Sequence, residues 1–387
     1  ARALPPTHWG KLCLSKDTNV LLAERYSQRT LETIQNCWNH HSVTTFDVNS
    51  KELVPSEIVA YSTSNPKLLG KKVYKLTSES GRTIIATEDH PFFTQQGWVS
   101  AGQLNAGDFV GVYPTLDPVE SPKLPTQTLG TIIVTEDSIR KNYPHRFNCY
   151  TKELYNNELL PFTTHNYKIE IVARLLGHLL SDGSCDRHNI VFTCGSRADA
   201  QKVQRDIRLL GFEPSRITVE KTKVKKNNRT VYYTTYRVTK GGALHALFIQ
   251  LGTPMGKRTD KEFSMPLWIF SSSLSVKREF LAGFMGGDGP KPRVQKRSEG
   301  KTGSKPGIAP IVLHKSAQYK KNLQTFANDL KKLFEEFDIA TSTITIKHAY
   351  VRKDGTPMLK CKLSLGASQK NLRKLLTCIG YRYCKQK

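Results

Sequence analysis

The stretch REFLAGFMGGDGP, Arg278–Pro290, runs as an apolar helix former and then sets Asp288 between glycines. An acid closing a helix faces the last carbonyls and the negative end of the macrodipole, so a bare carboxylate is disfavoured there by several tenths of a kcal/mol, about 0.3–1. Turn chemistry accounts for part of it, with Gly289 as a left-handed stop and Pro290 preventing resumption of the helix. A second copy, IVARLLGHLLSDGS at Ile171–Ser184, asks for more. Its Leu175, Leu176, Gly177, Leu179, Leu180, Asp182 and Gly183 match Leu281, Ala282, Gly283, Met285, Gly286, Asp288 and Gly289.

The order of elements repeats around these copies. From His165 the pattern is helix, strand, helix, two strands (SRITVEKTKV and TVYYTTYRVTK), helix; from Val276 it is the same, ending with STITIKHAYV, MLKCKLSL and SQKNLRKLLTCIG. A duplication with Asp182 and Asp288 106 residues apart implies two similar lobes about a pseudo-twofold axis. Gly177, Ala282, Gly283 and Gly286 are small enough for two helix backbones to approach closely. The two acids then meet, and divalent cations between them would neutralise both charges.

Charge divides the chain in the same sense. Residues 1–120 carry 11 Lys and Arg against 12 Asp and Glu, and the remainder 47 against 21, out of a net +25. The whole excess lies with the duplicated part, which has the electrostatic footprint of a polyanion binder. Paired carboxylates, hard cations and a basic surround suit phosphodiester hydrolysis, in which metals activate water and stabilise the leaving oxygen. RLLGHLLSDG and FLAGFMGGDG resemble the two signature helices of the LAGLIDADG homing endonucleases, over about residues 165–387. The resemblance implies two αββαββα lobes, at 165–272 and 273–387, whose sheets straddle double-stranded DNA, in a monomeric enzyme. It implies Mg²⁺, or another divalent cation such as Mn²⁺, on Asp182 and Asp288, with the Ser181 and Gly287 carbonyls nearby. It also implies a basic residue late in the last strand, for which Lys362 is the candidate, Lys360 the alternative and Arg237 the first-lobe match. A strand-borne cation can equally be a phosphate contact.

The hairpin VEKTKVKKNNRTVYY brings Lys221, Lys223, Lys225, Lys226 and Arg229 together, and its alternation directs basic side chains to one face for groove reading. KPRVQKRSEGKTGSK, with Lys291, Arg293, Lys296 and Arg297, is expected as a basic loop that orders on DNA. A module of this kind that binds DNA without cutting it is the competing reading.

The earlier part is different in kind. From Val20 to Tyr113 short β-rich runs such as VTTFDV, KKVYKLTS and RTIIAT, broken by Gly, Asn, Ser and Pro, imply an all-β domain. TEDHPFFTQQGWVSAGQLNAGDFV, Thr87–Val110, and CLSKDTNVLL from Cys13 resemble two conserved blocks of the Hint fold of inteins and hedgehog-type autoprocessing domains, over about residues 13–113. The resemblance implies that Cys13 attacks the Leu12 carbonyl to form a thioester, His90 protonates the departing nitrogen and Thr87 orients the amide. Residues 114–164, Pro- and Thr-rich at first, are expected as a linker or small irregular module.

Residues 1–12, in ARALPPTHWGKLC, resemble a stretch of the second-largest subunit of RNA polymerases. The expectation is an intein fragment in such a host, with its own flanking extein as substrate and any polymerase activity belonging to the host. The His-Asn pair that closes inteins is absent, so complete splicing is not expected of this fragment, and autoprocessing without ligation is the rival. No run approaches the roughly 18 to 20 apolar residues that span a bilayer. The eight cysteines lack CxxC spacing, which with the absence of a signal segment implies reduced thiols and a nuclear or cytoplasmic, non-secreted setting.

Overall fold

The computed structural model describes residues 13–22, 27–36, 38–47, 52–78, 83–111, 131–226, 229–296 and 304–384. The chain is mixed α/β with several small sheets, and it divides into two compact units, Ala1–Pro118 and Val119–Lys387.

The first unit is built mainly of strands. β1 (Asn19–Leu22), β2 (Ser27–Thr30), β3 (Ser42–Asp47) and β4 (Glu52–Glu57) form one antiparallel sheet in the order β2-β1-β3-β4, and the four-residue helix α1 (Leu31–Ile34) follows β2. The Thr30 hydroxyl caps α1 by accepting from the Thr33 N–H. Two hairpins follow: β5 (Val73–Thr77) with β6 (Thr83–Thr87), and β7 (Pro91–Thr94) with β8 (Gly97–Ser100). An isolated bridge from Leu14 to Ala86 lays the start of the described chain along β6.

The second unit opens with elements in the region that sequence patterning assigns to a linker or irregular module. Within 114–164 the described part holds β9 (Ile132–Val134), α2 (Glu136–Asn142), α3 (Phe147–Asn156) and β10 (Phe162–Thr163). Val134, Ile139, Leu154, Leu159 and Phe162 are fully buried in the unit's core. These elements are too short for a periodic signal, and their stability comes from that packing.

Then come α4 (Ile169–Ser181), β11 (Ser184–Cys185), β12 (Asn189–Cys194), α5 (Arg197–Leu209), β13 (Thr218–Lys226), β14 (Arg229–Gly241), α6 (Ala243–Gln250) and α7 (Leu267–Ser271). The second round is α8 (Leu274–Gly287), β15 (Arg293–Lys296), β16 (Ser304–Gly307), β17 (Ile311–Ser316), α9 (Lys320–Glu335), β18 (Thr345–Val351), β19 (Pro357–Leu363) and α10 (Gln369–Lys374). Sheet β12-β14-β13, with β11 at its edge, is matched by β17-β19-β18. Each sheet is antiparallel and follows a central helix, so the sequence repeat is a structural one.

α4 and α8 form the middle of the unit. Every residue of α4 is buried, including Glu170, Arg174, His178 and Ser181. The contact is backbone to backbone. A Cβ on Gly177 would lie 2.9 Å from the Phe284 nitrogen and nearer still to the Phe280 carbonyl oxygen; one on Gly283 would meet the Arg174 carbonyl. Gly286 faces the Arg382 backbone instead of α4, so its smallness makes room for the C-terminal stretch.

Buried charged groups of this seam bond to one another. Arg174 donates twice to Asp206, at 2.7 and 2.6 Å, and reaches Glu279 at 3.5 Å. Arg382 donates twice to Glu279, at 2.9 and 2.6 Å, Arg278 adds a third donor at 3.2 Å, and the Tyr383 hydroxyl donates to Asp206. Together these bonds join α4, α5, α8 and the segment after α10.

The segment expected as a basic loop forms a hairpin where it is described, with Arg293 opposite Gly307 and Lys296 opposite Ser304.

Candidate functional site

The close helix contact fixes where the acids go. Asp182 and Asp288 are the C-cap residues of α4 and α8, and a Cβ on Gly287 would stand 2.9 Å from the Asp182 nitrogen. Both acids line one cavity of about 290 Å³, together with Ser181, Arg258, Phe263 and Lys315. The glycines that follow them act by their size. Gly183 and Gly289 do not have positive φ, contrary to the left-handed stop expected of Gly289; a Cβ there would strike Leu179 and Met285 respectively.

Two cations stand at this cavity. Arg258, in the turn Arg258–Asp260, donates to the Ser181 carbonyl, so that carbonyl is already engaged by the protein. Burial pushes the Arg258 guanidinium below its ordinary pKa, while the Asp288 and Asp182 carboxylates act in the opposite direction. Lys315, at the end of β17, is 3% exposed, and its ammonium lies 4.0 Å from the centre of the Phe263 ring. Burial pushes Lys315 down to about 8, with Arg258 adding to the effect and Glu262 opposing it.

The three basic residues named from sequence do not line the cavity. Lys360 and Lys362 alternate with buried Cys361 and Leu363, which places them on the open face of their sheet, opposite Lys347 and Thr345. Arg237 occupies the open face of the other sheet, paired with Glu220 at 2.6 Å. Strand alternation could not identify Arg258, which comes from a turn, or Lys315, which joins the cavity lining because β17 packs against that turn.

In the β13–β14 hairpin, Lys221 and Lys223, both exposed, pair with Thr234 and Tyr232 and share one face, whereas Arg237 pairs with Thr218 and stands on the other. Lys225, Lys226 and Arg229 belong to the strands by their backbone, and their side chains lie outside the described residues. Lys291 and Arg293 are exposed; the Lys296 side chain and all of Arg297 lie outside the described residues.

In the first unit, Cys13 is bonded to Thr87, and His90 follows Thr87 in the next turn. The Cys13 N–H donates to the Thr87 hydroxyl at 3.0 Å, and the Thr87 N–H donates to the Cys13 carbonyl at 3.0 Å. The Cys13 sulfur lies 3.0 Å from the Ser64 hydroxyl. The His90 N–H donates to the Thr87 carbonyl at 3.0 Å, and its ring Nδ1 is buried without a hydrogen-bond partner among the described residues. Burial pushes the His90 imidazole below its usual value, with the Asp89 carboxylate opposing. Asp89 is itself paired with Lys71.

Among the described residues no group of three or more His, Cys, Asp and Glu side chains converges. Two carboxylates suit a Mg²⁺-like ion, which retains waters and uses one or two carboxylates plus phosphate oxygens. None of the described cysteines is bridged, and no described helix is long and apolar enough to cross a membrane.

No protein-family model matches the chain. It is 29% identical over 395 residues to the DNA-directed RNA polymerase subunit Rpo1N of Methanocaldococcus jannaschii, covering 97% of this chain and 27% of that protein. It is 30% identical over 331 residues to the tRNA-splicing ligase RtcB of the same organism, covering 82% and 32%. The chain therefore spans between a quarter and a third of the length of these curated relatives. Among solved structures it is similar to the N-terminal LAGLIDADG domain of WhiA, at 18% identity and a TM-score of 0.30, covering 61% of this chain and 91% of that one.

Proposed function

We propose that the chain is an intein, whose second unit is a LAGLIDADG-type endonuclease cutting double-stranded DNA and whose first unit begins protein splicing. The endonuclease reading rests on one observation: α4 and α8 bring Asp182 and Asp288 to a single cavity. These two carboxylates would hold Mg²⁺ or Mn²⁺, which when bound supplies Lewis acidity toward the phosphodiester and its attacking water. The chain's own cations do the rest. Lys315 presents positive charge at the cavity, and Lys360, Lys362 and Arg237 on the open sheet faces meet backbone phosphates. In the test, the protein with Mg²⁺ is incubated with duplex DNA spanning its uninterrupted host gene at the Leu12 codon junction. A double-strand cut at the junction is expected, with Asp288→Asn abolishing cutting and retaining binding; binding without cutting by the unaltered protein would replace this reading with a DNA-binding module.

The splicing reading rests on the Cys13–Thr87 hydrogen bond, which engages the nitrogen that would depart. The Cys13 thiol gives up its proton as its sulfur attacks the Leu12 carbonyl carbon, the carbon–nitrogen bond breaks, and the imidazolium of His90 protonates the departing nitrogen and is restored by a proton equivalent to the thiol's, leaving a thioester and a free amine. The similarities to known proteins support an inserted element. Nearly the same stretch of sequence matches minor parts of two proteins with unlike names, an RNA polymerase subunit and an RNA ligase. Residues 1–12 are then host sequence, of RNA polymerase second-largest-subunit type, and polymerase activity belongs to that host alone. Hint autoprocessing without ligation is distinguished by the products: joined flanks for splicing, cleaved flanks otherwise.

A further inference from the structure

The turn Arg258–Asp260 carries a cation to the two acids and is itself held from elsewhere. Arg352, just past β18, donates through Nη1 to both Asp260 carboxylate oxygens at 2.7 Å and through Nη2 to the Thr259 hydroxyl at 2.7 Å. Arg258 donates to the Ser181 carbonyl, one of the α4 end carbonyls left without a helical partner. It also feels both the Asp288 and the Asp182 carboxylates. A fixed guanidinium thus lies where the two acids and that carbonyl would present oxygens to a divalent ion.

We propose that Arg258 is the resident counter-cation of the two-acid cavity, competing with a divalent ion for these oxygens, and that Asp260 and Arg352 are the positioning pair that sets the strength of this competition. The proposal rests on reading Asp182 and Asp288 as ion-holding residues. The charge count favours exchange over coexistence: the two carboxylates that line the cavity are already balanced by Arg258 and Lys315, and adding a divalent ion without moving Arg258 sets two cations side by side at the same oxygens. Ion binding therefore displaces the guanidinium from Ser181, freeing it to meet a phosphate.

The experiment uses the full chain without DNA and Mn²⁺ alone as probe, with bound and free ion counted by electron paramagnetic resonance. Arg258→Ala is expected to bind Mn²⁺ at least about tenfold more tightly than the unaltered protein, the size of one charge-assisted hydrogen bond. Arg352→Ala, which leaves Arg258 in place but releases its turn, is expected to tighten binding by a smaller factor. Asp182→Asn combined with Arg258→Ala should lose the gain. Equal or weaker Mn²⁺ binding by Arg258→Ala, beside measurable binding by the unaltered protein, overturns the competition and leaves the ion-holding reading standing. Absence of Mn²⁺ binding in every variant overturns both. If Arg258→Ala does not fold, as judged by circular dichroism, Arg352→Ala decides, and unchanged affinity in that variant overturns the proposal.

Discussion

The amide nitrogen of Cys13 and the hydroxyl of Thr87 are 3.0 Å apart, with the nitrogen donating. Thr87 is 1% exposed and its own N–H returns a bond to the Cys13 carbonyl, so the peptide after the Leu12 junction is held at both ends of one residue. Thr87→Ala should slow thiol-dependent release of residues 1–12 by up to about tenfold, the equivalent of roughly 0.5–1.5 kcal/mol for one hydrogen bond, and Thr87→Ser should restore most of it. Mass spectrometry of the peptide ARALPPTHWGKL over time gives both rates.

Dithiothreitol should capture the thioester only when its sulfur donor is present. Cys13→Ala is expected to stop release of that peptide altogether, and His90→Ala to slow it by roughly 10² to 10⁴, the range for a lost general acid. Release from Cys13→Ala at the unaltered rate would remove Cys13 as nucleophile.

His90 also makes the reaction sensitive to pH. Because burial holds its pKa below the usual 6.5, the ring is neutral at pH 7 and its imidazolium is a scarce but strong acid. The rate advantage of the unaltered protein over His90→Ala should therefore fall as pH rises through a value below 6.5. A constant ratio from pH 5 to 8 would exclude the imidazolium as donor.

The helix seam predicts a sharp steric contrast. Gly283→Ala forces a methyl against the Arg174 carbonyl and should destabilise the second unit by about 1–3 kcal/mol or more, with backbone having to yield. Gly195→Ala meets open space and should be close to neutral. Urea midpoints for the two variants measure the difference.

Glu279 predicts the acid limit of the same unit. Fully buried, it would be raised by desolvation, but Arg382, Arg278 and Arg174 hold it at about 2, below its ordinary 4.5. A carboxyl depressed on folding contributes stability that is complete above its unfolded pKa and is lost as pH falls through the folded one. Urea stability should therefore drop between about pH 4.5 and 2. Glu279→Gln should flatten that slope and, by leaving buried guanidinium groups short of charge, lower stability at pH 7 by about 3–5 kcal/mol.

Much of the second unit is legible in its residues alone. Doubled small-residue helices ending in Asp-Gly, with the same order of strands and helices after each, are statements about local periodicity, which the chain carries in itself. The helices α2 and α3 leave no such signal because each is short and draws its stability from a shared core. Lys360, Lys362 and Arg237 follow from the resemblance, yet none of them lines the cavity, although Val312 and His314, the cross-strand partners of Lys362 and Lys360, do. In the first unit, the sequence spacing of Thr87 and His90 suffices to group them, since three residues along a strand and turn remain neighbours.

The sequence by itself determined the repeated order of helices and strands about α4 and α8, the acids at the two helix ends and the glycines that let those ends meet. Only the tertiary structure decided which cations line the acids' cavity. Arg258 is 76 residues from Asp182 and Lys315 is 27 from Asp288, and neither separation follows a helical or strand period. Their approach depends on how a turn and a strand end fall once α4 and α8 are in backbone contact, and on Arg352 and Asp260 holding that turn across 92 residues of chain. Local patterns fix which face a side chain occupies; the distance between two faces is set by packing.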